Sequence, residues 1–292
     1  MPAVGFVDDD GQRVTFADAL AGKGSFALRR PMLAAMARQK PKYADVTITS
    51  LLPVGVQRQK ILKARHDYFI VPDKQRRLMF GSALHSLLAE HASDLAAVER
   101  PMVALIDGLK VGGTADTRQL WPATKELPWP TLEIIDWKGT NVAAVKHMGE
   151  SGKTDEGAAQ LNSYWLLENI SPDSLILKAG LKPETVKPVL VLENISQDYR
   201  DYEADRASPA KPYPRWHEPF EVPAAPVAAT LSGLRAAIRK WKAAQKLIDD
   251  DLPKCETGLL WGGKRCRDYC EAREFCRYAA ANIEKLAGAR NY

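Results

Sequence analysis

The apolar positions of this chain fall into short runs and periodic stretches, and each predicts an element. Leu132 to Ile135 is a compact apolar run between Pro130 and Gly139. Its length and β-branched content predict a buried strand that ends where Asp136 and Lys138 begin. A second continuous run, Pro188 to Asn194, suits a strand covered on both faces. Met102 to Asp107 and Leu109 to Gln119 predict a hairpin turning at Asp107-Gly108, a favoured turn dipeptide. Val111 to Gln119 would then be the arm that pairs with the Asp136 strand. Helical spacing marks Leu84, Leu87 and Leu88 around His85, and Gly157 to Asn169 with Leu161 and Trp165 on its buried stripe. It also marks a long amphipathic helix through Leu231, Leu234, Ile238, Trp241 and Ile248, whose opposite face carries Arg235, Arg239, Lys240 and Lys242. Residues 197 to 228 are polar and proline-rich and predict an extended surface connection. The order helix, three strands, helix, strand predicts an α/β fold, with the second helix as the crossover that parallel neighbours need.

The end of the Leu132 strand is where the pattern changes from packing to chemistry. Residues two apart on a strand share a face, so Asp136 and Lys138 emerge together while Trp137 turns to the opposite, packing side. A hairpin arm alongside would bring Asp116, from Gly113-Thr-Ala-Asp116, next to them. Hard divalent cations take oxygen ligands, and Asp116, Asp136 and the carbonyl of Trp137 could hold Mg²⁺ or Mn²⁺ with water completing the shell. Lys138 would orient the attacking water or help deprotonate it. Such a set suits phosphodiester hydrolysis. Taken alone, Asp116 also fits a turn and Asp-x-Lys a solvated strand end.

Charge and cysteine usage add two features. The net charge is +5, which permits a nucleic-acid partner without requiring one. The densest positive segment carries Arg58, Lys60, Lys63 and Arg65 on one predicted helix, with Lys74, Arg76 and Arg77 beyond it. Such a segment can contact phosphates through counterion release or simply be a solvated helix face. Cys255, Cys266, Cys270 and Cys276 are the chain's four cysteines, separated by ten, three and five residues. Clustering of this kind favours one metal centre over disulfides in a reducing compartment. The spacing itself does not choose the metal. No apolar run approaches the roughly 20 residues of a membrane helix, and the N-terminus lacks a signal-peptide pattern. The expectation is a protein without a membrane partner, in the cytoplasm of a bacterium or an infected host.

The order of these motifs, with Phe80-Gly-Ser-Ala-Leu-His85 upstream and Gln160-Leu-Asn-Ser-Tyr164 downstream, resembles the PD-(D/E)xK nuclease superfamily. Within it the chain is similar to the RecB-like branch that includes Cas4 and AddB-type nucleases, and most of all to phage-encoded members ending in an Arg-Cys-x-x-Tyr-Cys-x-x-x-x-x-Cys pattern. The resemblance covers about Val46 to Tyr278. It implies a restriction-endonuclease-like core, a central mixed β-sheet flanked by helices, followed by a C-terminal cysteine-ligated metal subdomain. It also implies catalytic roles for Asp116, Asp136 and Lys138, a metal-ligand or phosphate-contact role for His85, and places for Gln160 and Tyr164 at the border of the active site. Relatives with a C-terminal cysteine triplet bind a [4Fe-4S] cluster, so that cluster is the first expectation for Cys255, Cys266, Cys270 and Cys276, and Zn²⁺ the second. Cas4 and AddB place their first cysteine before the nuclease core, whereas here all four follow it. The centre is therefore expected to staple a local C-terminal subdomain and to fix Lys264, Arg265, Arg267, Arg273 and Arg277 near DNA.

The expected organisation is an N-terminal appendage (residues 1–45), the nuclease core (46–228) and the helix with its cysteine subdomain (229–292). The expected function is a metal-dependent deoxyribonuclease, an exonuclease or end-processing enzyme of recombination, replication or repair. It would contact the DNA backbone with little sequence preference. Two alternatives share the sequence: a non-catalytic DNA-binding or assembly module, and a Cas4-like nuclease that trims spacers. Protein partners are not specified by any motif.

Overall fold

The structure is a computed structural model, and it describes residues 3–37, 43–52, 57–72, 87, 96–138, 155–194, 220–255, 266 and 270–279. Strands among these run, in chain order, β1 (Ala3–Val7), β2 (Arg13–Thr15), β3 (Val46–Thr47), β4 (Tyr68–Ile70), β5 (Ala96–Val98) and β6 (Met102–Ile106). They continue with β7 (Leu109–Gly113), β8 (Thr117–Trp121), β9 (Thr131–Lys138), β10 (Lys187–Asn194) and β11 (Phe220–Val222). The elements form mixed sheets flanked by helices, an α/β architecture. Contacts divide the chain into two compact units: residues 43–53 with 84–237, and residues 1–42 with 54–83 and 238–292.

The first of these units is built on a five-stranded sheet in the order β11-β10-β9-β8-β5. β9 and β10 are parallel in register from Lys187↔Thr131 to Asn194↔Lys138, and the other neighbours are antiparallel. A parallel pair needs a crossover, and the helix Asp155–Ile170 supplies it. Leu132, Ile134 and Asp136 alternate onto one face of β9 and are all buried. The helix packs against β9, β10, β6 and β7, and its Leu161, Tyr164, Trp165, Leu166 and Leu167 are buried.

A second, three-stranded sheet runs β3-β7-β6, with the β6–β7 hairpin turning at Asp107-Gly108 as the sequence predicts. Both turn residues have positive φ, 48° and 74°, the geometry an Asp-Gly turn supplies. The arm expected to run unbroken from Leu109 to Gln119 is two strands. Residues 114–116 separate β7, which pairs with β6 and β3, from β8, which pairs with β9. The break lies after Gly113, where β7 passes directly beneath the crossover helix. A Cβ on Gly113 would lie 2.7 Å from Ile48 Cδ1 and 2.8 Å from Tyr164 Cε1, so a residue without a side chain permits the approach.

Two other expectations are corrected. The connection from 197 to 228 contains β11, whose Glu221 and Val222 pair with Val191 and Leu190. The chain returns there to cover an edge of the sheet that would otherwise leave backbone groups unpaired. The long helix ends at Gln245, and Ile248 lies beyond it and exposed. Its apolar spacing runs on to Ile248, just before Asp249 to Asp251 form a short 3-10 turn.

The second unit contains the sheet β2-β1-β4 around Phe6, Leu28, Leu33 and Ile70. It also contains a core of Ile61, Leu62, Ala244, Leu252 and Ala272, against which Trp241, Cys270, Phe275 and Cys276 pack. Ile61 and Leu62 belong to the helix Gln57–Arg65. Where the sequence suggests a purely local C-terminal fold, the cysteine segment shares its core with this much earlier helix. A stretch of some twenty residues has too little apolar surface to bury itself.

Candidate active site and candidate metal centre

The carboxylates come together at the end of β9. The β8–β9 register pairs Thr117 with Ile135, so Asp116, one step earlier, falls opposite Asp136. Both are buried, at 9% and 3% exposure. Asp116 Oδ2 accepts a hydrogen bond from the Trp137 backbone N–H at 2.6 Å, which fixes the carboxylate just before β8 to the β9 backbone. The Trp137 ring lies on the other face of β9, as alternation predicts, and its Nε1 donates to Glu193 Oε2 of β10 at 3.0 Å.

The crossover helix closes the site with the two residues named from the resemblance. Gln160 Nε2 donates to Asp136 Oδ1 at 3.3 Å and to the Tyr164 hydroxyl at 2.7 Å. Residues four apart on a helix share a face, so one amide can span the carboxylate and the phenol. Burial pushes the Tyr164 hydroxyl well above the ordinary phenol range, against a lowering by the Gln160 bond. The nearby charges of Asp136 and Asp116 push it further up. Tyr164 is therefore a neutral group whose proton can be donated. His85 and the side chain of Lys138 lie outside the described residues; the Lys138 backbone is the last position of β9.

One helical turn further, Glu168 is fully buried and forms an ion pair with Arg118 of β8, which is 2% exposed. Arg118 also donates to the Arg100 carbonyl at 3.2 Å. Glu168 Oε2 accepts from Ser174 Oγ and from Leu175 N, each at 2.8 Å. Gln160, Tyr164 and Glu168 thus form a polar seam along one helix face, through which the crossover is locked to β8 and β9. Reading the sequence around its carboxylates passes over Arg118 and Glu168. The signals are Arg118 two residues after Asp116 on β8, hence on the same face, and Glu168 repeating the four-residue step from Gln160.

The two buried carboxylates are hard oxygen donors gathered at one strand end, a donor set that fits Mg²⁺ or Mn²⁺. A cation held between them would offset part of the cost of burying two acidic side chains.

In the other unit, Cys255, Cys266, Cys270 and Cys276 line one cavity of about 30 Å³ together with Arg58, Gln59, Leu62, Lys254, Tyr278 and Ala279. None of the four is in a disulfide. Burial raises the thiols of Cys255 and Cys270, the latter to about 12, and the neighbouring cysteines raise both further. Among the described residues no group of three or more His, Cys, Asp or Glu side chains stands placed to hold a metal ion. The fit therefore rests on donor chemistry: four sulfurs around one cavity suit a soft or borderline metal, which binds cysteine as the thiolate.

Most cations of the basic helix have partners within their own unit. Arg58 is buried, Arg65 Nη1 meets Asp249 Oδ1 at 2.6 Å, and Lys63 Nζ meets Glu271 Oε2 at 3.4 Å. Arg58 and Lys63 thus pack against the cysteine segment and Arg65 against residues just before it, while Lys60 is exposed. Lys74, Arg76 and Arg77 lie outside the described residues, as do Lys264, Arg265 and Arg267. No helix among the described residues is long and apolar enough to cross a membrane.

No family model matches the chain, and no curated protein matches it. Among solved structures, the chain is similar to the one described as "Crystal structure of SSO0001". The alignment covers 85% of this chain and 92% of that one, at 12% sequence identity and a TM-score of 0.41.

Proposed function

We propose that the chain is a metal-dependent deoxyribonuclease with a restriction-endonuclease-like core, and that Asp116 and Asp136 hold its catalytic Mg²⁺ or Mn²⁺. The observation that carries this reading is the buried meeting of Asp116 with Asp136 and the Trp137 backbone at the end of β9, under a crossover helix that places Gln160 on Asp136. The antiparallel β8–β9 pair followed by a helix and the parallel β10 supports the same core. When bound, the metal would polarise a phosphoryl oxygen and lower the pKa of its water.

The chain's own residues divide the remaining work. Asp116 and Asp136 supply oxygen ligands, and the Trp137 carbonyl is the backbone donor between them and Lys138. Gln160 orients Asp136 and, through the same amide, keeps the Tyr164 hydroxyl turned toward the site as a neutral donor for a phosphate oxygen. Lys138 orients the attacking water, and His85 is assigned to the metal or phosphate by the family resemblance. The four cysteines hold a [4Fe-4S] cluster, with Zn²⁺ as the alternative, in a structural role.

End-labelled single- and double-stranded DNA incubated with Mg²⁺ and with Mn²⁺ tests the reading. The expected result is metal-dependent cleavage by the wild type and none by Asp136→Asn, with unchanged circular dichroism. Cleavage retained by Asp136→Asn and by Asp116→Asn, or no cleavage by the wild type with either metal, overturns it. Visible thiolate-to-iron absorption with matching iron and sulfide content identifies the cluster, and a colourless protein carrying one zinc per chain identifies zinc.

A further inference from the structure

Arg58 is a permanently charged residue placed where charge is costly. The sequence puts it on a basic helix beside Lys60, Lys63 and Arg65, yet it is 2% exposed. Its Nε donates to Cys276 Sγ at 3.2 Å, and its Nη1 donates to the Leu252 carbonyl. The Nη2 atom is buried with no hydrogen-bond partner among the described residues. The Tyr278 ring lies 4.8 Å from the guanidinium carbon. No carboxylate is among these partners. A buried guanidinium cannot escape its cost by losing its proton, so a negative charge must come from somewhere else.

The cavity that Arg58 lines points to the source. Four thiolates around a divalent zinc, or around a [4Fe-4S] core in its oxidised state, leave two negative charges uncompensated. The cavity wall carries two cationic side chains, Arg58 and Lys254. We infer that Arg58 is the counter-charge and N–H···S donor of the cysteine-held metal centre, tuning how tightly the centre is held; this rests on reading the four cysteines as its ligands. The planar fork of arginine suits the position, since it reaches a sulfur and a backbone carbonyl from two separate nitrogens held in fixed geometry, where a lysine offers a single nitrogen on a flexible stem. Hydrogen bonds to ligand sulfurs are a recognised means of setting both affinity and redox potential.

The test uses the full-length chain as purified, in wild-type, Arg58→Met and Arg58→Lys forms. Iron, acid-labile sulfide and zinc are counted, metal release to a chelator is followed, and thermal melts are recorded before and after stripping. Arg58→Met should hold metal about ten- to a hundredfold more weakly and melt lower when loaded. Once stripped it should melt no lower than stripped wild type, because an apolar side chain replaces an uncompensated buried charge. Arg58→Lys, which keeps the charge and loses the fork, should fall between, and it decides the matter if Arg58→Met does not fold. If the centre is an iron-sulfur cluster, its midpoint potential should become more negative in Arg58→Met. Metal retention equal to wild type, or equal loss of stability in loaded and stripped protein, overturns the role of Arg58. Wild-type protein carrying no metal would instead sink the assignment of the cysteines, a distinguishable failure.

Discussion

The carboxylate site and the cysteine cavity both gather groups that are uncomfortable when buried and charged, and they solve the problem in opposite ways. At the end of β9 the chain provides hydrogen bonds in advance: Trp137 N–H holds Asp116 and Gln160 holds Asp136. In the cysteine cavity burial dominates, and it makes the thiols of Cys255 and Cys270 hold their protons more tightly than ordinary thiols. Preorganised oxygen donors suit an ion that must exchange water and meet substrate during turnover. Protonated sulfur donors suit an ion that enters once and stays. On the proposed reading, the first region would carry the chemistry and the second the construction.

The sharpest way to break this contrast is Asp136→Asn. Several kcal/mol of metal-derived stabilisation are at stake, so DNA cleavage should fall on the order of a thousandfold or more, with little change in melting temperature. Glu168→Gln should do the reverse. It strands the buried Arg118 and should cost about 3–5 kcal/mol of stability, read by urea denaturation, while the carboxylate pair remains in place. Removing Gln160 by substitution to Ala takes one amide from both Asp136 and Tyr164. A loss of about 1–3 kcal/mol corresponds to roughly five- to 150-fold in kcat/KM, and Tyr164→Phe should lose no more than that. A pH effect should be the smallest and confined to the cysteine side. After stripping of metal, Cys270 should react with iodoacetamide more slowly than an ordinary thiol at pH 8, because the thiolate is the reactive form. Its raised pKa means the folded state holds its proton longer than the unfolded one. The stripped unit should therefore keep this contribution at neutral pH and lose it as pH climbs through the ordinary thiol range toward about 12.

How far each region was legible in the sequence follows from the range of its contacts. Asp136 and Trp137 could be assigned faces because alternation along β9 is a two-residue rule, and Gln160 and Tyr164 could be paired because helical repetition is a four-residue rule. The β6–β7 turn was legible in Asp107-Gly108 for the same local reason. The break at residues 114–116 was not, since it is imposed by the crossover helix lying over Gly113, a contact between segments about fifty residues apart. Arg118 pairing with Glu168 is equally distant in sequence, with a separation of 50. The fate of the basic helix was hidden most deeply. Its Arg58 reaches Cys276 across a separation of 218 residues, whereas composition offered only a phosphate-contacting or a solvated face. Grouping the four cysteines needed nothing beyond their proximity in the chain, but the wall that completes their cavity is made by residues far upstream.

Gly113 carries a further consequence. Its backbone sits so close to Tyr164 and Ile48 that even a methyl group would have to push one of them aside. The hydroxyl bonded to Gln160 is therefore positioned from behind by an atom that is missing. If the proposed cleavage is right, a screen for inactive variants should accordingly flag position 113 as well as the acidic residues, although Gly113 brings no side chain of its own to the site.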